Sequence, residues 1–255
     1  MPRAIQFDPT ASFTTSNTTS TTAYTYAYFP FDTDTSETIH NRSVTVGGSP
    51  TISTSTNFVF TGALNINGNG YVKINNSQSA ARFSGPFTIQ FFIKFNSHSG
   101  NHQGPIGAHI GNGWLMQVNS SETLFWMGGS YIISSSTVPA TGQWHHMAVT
   151  RNSSNLVRLF LNGSSLGSLT YNGNMPAGGD IVIGGSNTSG QYVQGLMDDV
   201  LILDGFCLYD SSSYTVPTAA SGGAAQSIVN DTRSYASVFD LRSQYKERAA
   251  GAWPT

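Results

Sequence analysis

The sequence predicts an all-β protein. It is a two-sheet antiparallel sandwich of the jelly-roll type, with an extended N-terminal arm and a short C-terminal helix. Three observations carry this. From Ala23 to Tyr209, short apolar segments recur at regular spacing between Gly and Asn turns. In the same region no amphipathic helical pattern of any length appears. Hydrophobic residues hold at 38% while charged residues fall to 9%, against roughly a quarter in an average domain. A core is therefore present under a neutral surface rich in hydroxyls and amides, which is not the composition of a disordered chain.

The elements follow in chain order. Residues 1–22 form an arm, nearly all Ser, Thr and Asn from Thr10 to Thr22. It lacks the apolar surface to offset its ordering entropy, so it is either disordered or laid along a partner as an extended strand. Residues 23–217 form the sandwich. Tyr24 to Phe31 alternates aromatic and small residues, and the strand signals Phe58–Phe60, Ala63–Ile66 and Tyr71–Ile74 follow. In Phe87–Phe95 the residues Phe87, Ile89, Phe91, Ile93 and Phe95 share one face, period two with a wholly apolar side. Pro105 to Leu115 reads as a Gly-rich turn region leading into Trp114–Val118. Leu124–Met127 and Tyr131–Ile133 read as a hairpin joined by Gly128-Gly129-Ser130. The strongest local signal is Gln143-Trp144-His145-His146-Met147-Ala148-Val149-Thr150 followed by Leu156–Leu161 and Asn162-Gly163. An Asn-Gly pair tolerates positive φ at both residues and so suits a type I′ turn. Ile181–Gly185 and Gly195–Leu203 complete the series. Residues 218–255 are a linker and tail. There Ser237–Ala249 reads as a helix with Val238, Leu241, Tyr245 and Ala249 on one stripe, stopped by Gly251. A lone helix of this length is marginal in water, so its stripe needs a partner.

Composition excludes several classes. A net charge of −2 gives no electrostatic case for nucleic acid. No apolar run approaches the ~20 residues of a membrane span, and Met1–Asp8 has no signal-peptide h-region, so the expectation is no membrane partner and no secretory leader. One cysteine, Cys207, rules out an intrachain disulfide and reads as a small buried hydrophobe.

These segments in this order, with Trp-His-His, Asn-Gly and Gly195-Leu196-Met197-Asp198-Asp199 among them, resemble the concanavalin A-like, laminin G-like domain family over about residues 24–209. The resemblance implies two curved antiparallel sheets that bind glycans or proteins, sometimes with calcium. Ser213-Tyr214-Thr215-Val216-Pro217-Thr218, and the end from Val238 to Pro254, look similar to segments of bacteriophage structural proteins. The resemblances together imply a non-enzymatic virion component, either a tail fibre or tail-associated protein or a capsid decoration protein. It would be assembled in the host cytoplasm and located in the virion. Its expected partners are other virion proteins and sister subunits, a trimer being the natural guess for fibres and capsid sites. Val238, Leu241, Tyr245 and Trp253 are the expected assembly residues. The alternative is an adhesin that binds host surface glycans.

Glycoside hydrolysis needs two carboxylates about 5–5.5 Å apart for retention, or wider for inversion. The glutamates are Glu37, Glu122 and Glu247, far apart in sequence, so no catalytic residues are assigned. Asp198 and Asp199 are adjacent and are expected on opposite sides of a strand. They read as caps for loop amides; a calcium role is the alternative, though Ca2+ needs six to eight oxygens. No other cofactor is expected. His98, His102 and His109 read as solvated loop histidines. Of His145 and His146, at most one is expected to point inward. Sugar binding wants exposed aromatic faces flanked by amides and hydroxyls, which nominates Trp126, Tyr131, Asn187, Gln191 and Tyr192. Trp114 and Trp144 are assigned to the core.

Overall fold

The computed structural model describes residues 18–19, 24–55, 61–98, 102–109, 112–186, 191–218, 221 and 228–229. The chain divides into two compact units, one of residues 20–226 and one of residues 1–19 with 227–255.

The larger unit is a sandwich of two antiparallel sheets, as the alternation predicts. One sheet has seven strands: β3 (Val44–Gly47), β6 (Tyr71–Ile74), β8 (Gln103–Gly107), β9 (Trp114–Val118), β10 (Thr123–Met127), β11 (Ser130–Ser135) and β15 (Val182–Ile183), in the order β11-β10-β9-β8-β15-β6-β3. The other has eight: β2 (Thr25–Phe29), β4 (Thr51–Ser53), β5 (Ala63–Asn65), β7 (Phe87–Phe95), β12 (Trp144–Arg151), β13 (Leu156–Leu161), β14 (Ser164–Thr170) and β16 (Gly195–Asp204). Their order is β14-β13-β12-β7-β16-β5-β4, with β2 also paired to β16. Phe87, Ile89, Phe91, Ile93 and Phe95 of β7 point between the sheets, where they meet Trp114, Met116, Val118, Phe125, Met147, Val149, Met197, Val200 and Ile202. Burying such side chains supplies roughly 1.5–3 kcal/mol each, the largest favourable contribution to the fold.

The predicted hairpins form with the expected turns. Gly128 and Gly129 (φ 62° and 96°) join β10 to β11, and Asn162 and Gly163 (φ 50° and 79°) join β13 to β14. Other expectations are corrected. Gln103–Gly107 is a central strand, not a turn. Its ladder to β9 shifts register between Gln103 and Ile106, and Pro105 sits in that irregularity, where its missing N–H costs little. The sequence pair Gly178-Gly179 also reads as a hairpin turn, but Gly178 lies in the long β14–β15 connection and donates to Ala108 O at 2.9 Å. Trp114 is in the core, its Nε1–H on Ala81 O at 2.9 Å, but Trp144 is half-buried at the start of β12 and not in the core cluster. Strands β3, β4 and β14 were not foreseen; they are short or poor in large apolar residues. Phe58–Phe60 and the C-terminal stripe of Val238, Leu241, Tyr245 and Trp253 lie outside the described residues.

The central strands β7, β12 and β16 of the eight-stranded sheet are buried on both faces, whereas β14 at its edge is largely exposed. After β16 the chain turns back as a strap, residues 205–218 with Ser221 beyond, across the outer face of this sheet. Thr88 Oγ donates to Phe206 O (3.0 Å) and accepts from Leu208 N–H (2.8 Å); Thr150 Oγ donates to Tyr209 O (3.0 Å). Tyr209 and Tyr214 stack on each other at 3.5 Å, and His146 lies edge-on to both. This explains why His145 and His146 are both buried although they alternate faces. His145 faces the interior with Met147 and Val149; His146 faces the strap.

In the smaller unit, β1 (Thr18–Thr19) pairs antiparallel with β17 (Ile228–Val229), matching Thr18 to Val229 and Thr19 to Ile228.

Candidate functional site

The strap does not cover the outer face of the seven-stranded sheet; the outward positions of its central strands are nonetheless buried (Leu115 and Val182 are 1% exposed), and the positions that reach solvent lie toward its two ends, on β10 and β11 and on β6 and β3. One register row crosses this face through Tyr131, Trp126, Leu115, Gly107, Val182, Lys73 and Thr45. These side chains point away from the core because their strand neighbours Phe125, Met116, Ile106, Ile183 and Val72 point into it.

At the β10–β11 end, Trp126 and Tyr131 face each other across the hairpin, and Tyr131 is 52% exposed. Such exposure is unusual for a large aromatic ring on an otherwise polar surface. Two histidines flanking β8 reach over β9 toward this pair. His109 stands edge-on to Trp126 with centroids 4.4 Å apart, and the His102 ring lies 5.9 Å from that of Tyr131. Glu122 Oε1 is 3.7 Å from His102 Nε2. Burial holds the His109 imidazole below its usual pKa, favouring the neutral ring. His98, His102 and His109 are thus half-buried against aromatic rings or carbonyls, not solvated: His98 Nε2 meets Pro139 O at 2.7 Å and its ring packs on Phe95. The arrangement places two neighbouring aromatic side chains beside imidazole and carboxylate groups.

Tyr192 lies elsewhere on the same face, across β9 and β8. Its ring runs nearly parallel to that of Tyr71 (10° between planes, centroids 6.3 Å apart). Gln191 contributes its carbonyl, which accepts the Gly104 N–H at 2.9 Å. The nominated sugar-binding residues therefore fall into two groups, with Asn187 outside the described residues. Tyr71, His102 and His109 were missed as members of this face. Period-two alternation in Tyr71-Val72-Lys73-Ile74 already places Tyr71 opposite the core residues Val72 and Ile74, and that signal was available.

Asp198 and Asp199 are on the other sheet. The expectation that they face opposite sides is wrong. The β16–β7 ladder shifts between Asp198 and Leu201, and Asp199 takes positive φ (52°), the geometry of a bulge. Asp198 pairs with Phe92, whose side chain lies on the strap side with His146, and Asp199 is turned to that side as well. Asp199 Oδ1 accepts from Tyr28 OH (2.8 Å). Its two oxygens accept from Ser221 N–H (2.9 Å each), and Oδ2 from Ser221 Oγ–H (2.6 Å). Burial raises its pKa despite these donors. A carboxylate so engaged does not fit a calcium ligand, and no group of three His, Cys, Asp or Glu among the described residues could hold a metal ion. Cys207 is half-buried, and burial pushes its thiol up to about 11, away from reactivity. Among the described residues, no helix is long and apolar enough to cross a membrane.

A search of curated proteins finds no match. Solved structures share the fold. Domain 4 of AbnA, a GH43 extracellular arabinanase from Geobacillus stearothermophilus, solved in complex with arabinotriose, superposes with a TM-score of 0.58 at 18% identity. The match covers 72% of this chain and 94% of that one. The binding domain of Paraclostridial Mosquitocidal Protein 1 gives 0.59 at 16% identity, over 74% and 50% of the two chains. The botulinum neurotoxin serotype D binding domain gives 0.54 at 17%, over 72% and 49%. The chain thus spans about half the length of the two toxin domains. At such identities the likeness is one of fold. The family profile described as the concanavalin A-like lectin/glucanases superfamily matches residues 66–207, more than half of the sequence and all strands from β6 to β16. With its two-sheet jelly roll, the chain belongs to the concanavalin A-like lectin/glucanase superfamily.

Proposed function

We propose that this domain is a non-catalytic glycan-binding module whose ligand lies on the outer face of the seven-stranded sheet. The observation that carries the reading is Trp126 opposite a half-exposed Tyr131, bordered by His102, His109 and Glu122. Sugars present C–H faces that stack on such rings and hydroxyls that both donate and accept at the edges. Arabinotriose bound by a domain of the same fold is consistent with this use of it. A hydrolytic role is less well supported. Glu37 is buried with four backbone N–H groups on its carboxylate, and Asp198 and Asp199 lie beneath the strap of the other sheet. Native electrophoresis through gels containing soluble arabinan, xylan, mixed-linkage glucan or bacterial O-polysaccharide, with a glycan array in parallel, tests the reading. Retardation by at least one polysaccharide, lost in Trp126→Ala and Tyr131→Ala with the fold intact, is expected. Unretarded migration in every gel together with a blank array overturns it.

A second reading concerns where the module is displayed, and it rests on the pairing of β1 with β17. In this reading the two ends form one attachment element that fixes the domain to a larger assembly, a bacteriophage particle, with the lectin-like sandwich outward and the host surface as its target. A two-stranded ladder of two residues each is marginal alone in water, and strands from neighbouring subunits or virion proteins would extend it. Deleting residues 1–22 or 226–255 should abolish incorporation into particles; normal incorporation of both truncations refutes this reading.

A further inference from the structure

The second aromatic group on this face is built in an unusual way. Side chains at the β3–β6–β15 corner are laid over glycines. The end of the Tyr71 ring occupies the space a Cβ on Gly47 would fill, and the Gln194 amide does the same at Gly68. The Tyr192 ring lies over Gly185, where an added Cβ would be 2.7 Å from Cδ1; Pro50 lies over Gly70, with Cβ to Cβ at 2.8 Å. Gly47 is the cross-strand partner of Tyr71, so that ring lies sideways along the sheet instead of standing on it. The two near-parallel rings, one over Gly47 and the other over Gly185, make a shelf. An amide stands nearby, and Lys73 follows Tyr71 on the same face. Tyr71 points away from the core while Tyr192 also packs against it, and both rings remain half-buried.

We infer that Tyr71 and Tyr192 form a second sugar subsite, and that the ligand is an extended polysaccharide chain engaging both this shelf and the Trp126–Tyr131 pair. This rests on the glycan-binding reading above. The two groups are four strand intervals apart on one face, on the order of 20 Å at about 4.8 Å per interval. A single terminal sugar cannot touch both; a chain of several units can. Joining two weak subsites through one ligand multiplies their affinities by an effective concentration, so affinity should climb steeply with chain length and then level off.

The test uses the full chain and whichever polysaccharide in the panel above retards it, together with a ladder of oligosaccharides released from that polysaccharide by partial acid hydrolysis. Isothermal titration across the ladder should show affinity rising with length. Tyr71→Ala and Tyr192→Ala should each weaken the longest ligand by about tenfold and leave the shortest nearly unchanged. Tyr71→Phe keeps the ring and should bind as the parent does, which separates stacking from misfolding; thermal melts of each variant verify the fold. Affinity independent of length, or long-chain binding untouched by both tyrosine variants while Trp126→Ala abolishes it, overturns the second subsite and leaves the first standing. Absence of binding by the parent to every polysaccharide overturns both.

Discussion

Asn162 Nδ2 donates to His145 Nδ1 at 2.9 Å, and Asn162 Oδ1 accepts the His146 N–H at 3.0 Å. One turn side chain therefore ties the hairpin to the preceding strand. His145 Nε2 donates to Ala140 O at 2.9 Å, so the proton resides on Nε2 and Nδ1 is free to accept. The Trp-His-His and Asn-Gly segments, separate in sequence, are one hydrogen-bonded assembly. Asn162→Gly keeps the positive φ and loses both bonds, and should cost about 1–3 kcal/mol. Asn162→Ala adds the strain of a left-handed residue and should cost more. Gly163→Ala should be worse than Asn162→Gly, because its Cβ would collide with Tyr214 O of the strap while holding a φ of 79°. Urea unfolding of the three variants gives the order; equal stabilities would contradict it.

His146 predicts a specific acid sensitivity. It is buried beneath the strap with its Nδ1 on Tyr214 OH at 2.7 Å, and burial pushes its pKa from 6.5 down to about 3. The unfolded chain therefore binds a proton that the folded one does not, and stability must fall as pH drops from about 6.5 toward 3. The loss is about 5 kcal/mol at most. His146→Phe should flatten this part of the pH–stability curve. A slope unchanged by the substitution would show that other groups cause it.

Arg151 is fully buried, yet among the described residues no carboxylate is hydrogen-bonded to it. Its guanidinium donates to Gly85 O (Nε, 2.9 Å; Nη2, 2.6 Å), Phe83 O (2.8 Å) and Gly173 O (2.7 Å), and stands over the Phe87 ring. It gathers the β6–β7 and β14–β15 connections at one end of the sandwich, and burial lowers its pKa from the usual arginine value. Arg151→Ala removes the arginine donors from Gly85 O and Gly173 O, while Phe83 O keeps the Met175 N–H at 3.2 Å, and should cost about 3 kcal/mol. Arg151→Lys, with a point donor in place of a fork, should recover less than half of that. Thermal denaturation reads both, and a lysine variant as stable as the parent would refute the fork's role.

Ser221 is the last described contact of the strap. Besides its bonds to Asp199, its Oγ accepts from Gln90 Nε2 at 2.7 Å, and Gln90 Oε1 in turn accepts from Tyr209 OH. Ser221→Ala should leave Gln90 and Asp199 each short of a buried partner and loosen the strap by about 1–3 kcal/mol. The effect should be local. Amide exchange should quicken across residues 205–218 while β7 and β12 stay protected; uniform quickening would mean that the strap and sandwich unfold as one.

Much of this architecture is legible in the order of residues. The period-two rows of β7, β12, β13 and β16, and the positive-φ turns at Gly128-Gly129 and Asn162-Gly163, are local consequences of side-chain alternation and backbone freedom, so they determine two apolar-lined sheets without tertiary information. What the tertiary structure alone decided is how the second faces are used. The bulge at Asp199 reverses the side on which an aspartate lies, because one extra residue in a ladder shifts the alternation. Pro105 becomes a strand residue because a register shift removes the need for its N–H. His146 is buried because a strap more than fifty residues downstream lies over it. Trp126 and Tyr131 are separated from Tyr71 and Tyr192 because four strand intervals, set by pairings between segments distant in sequence, lie between them. Local pattern states which way a side chain points from its own strand; only long-range pairing determines what it meets there.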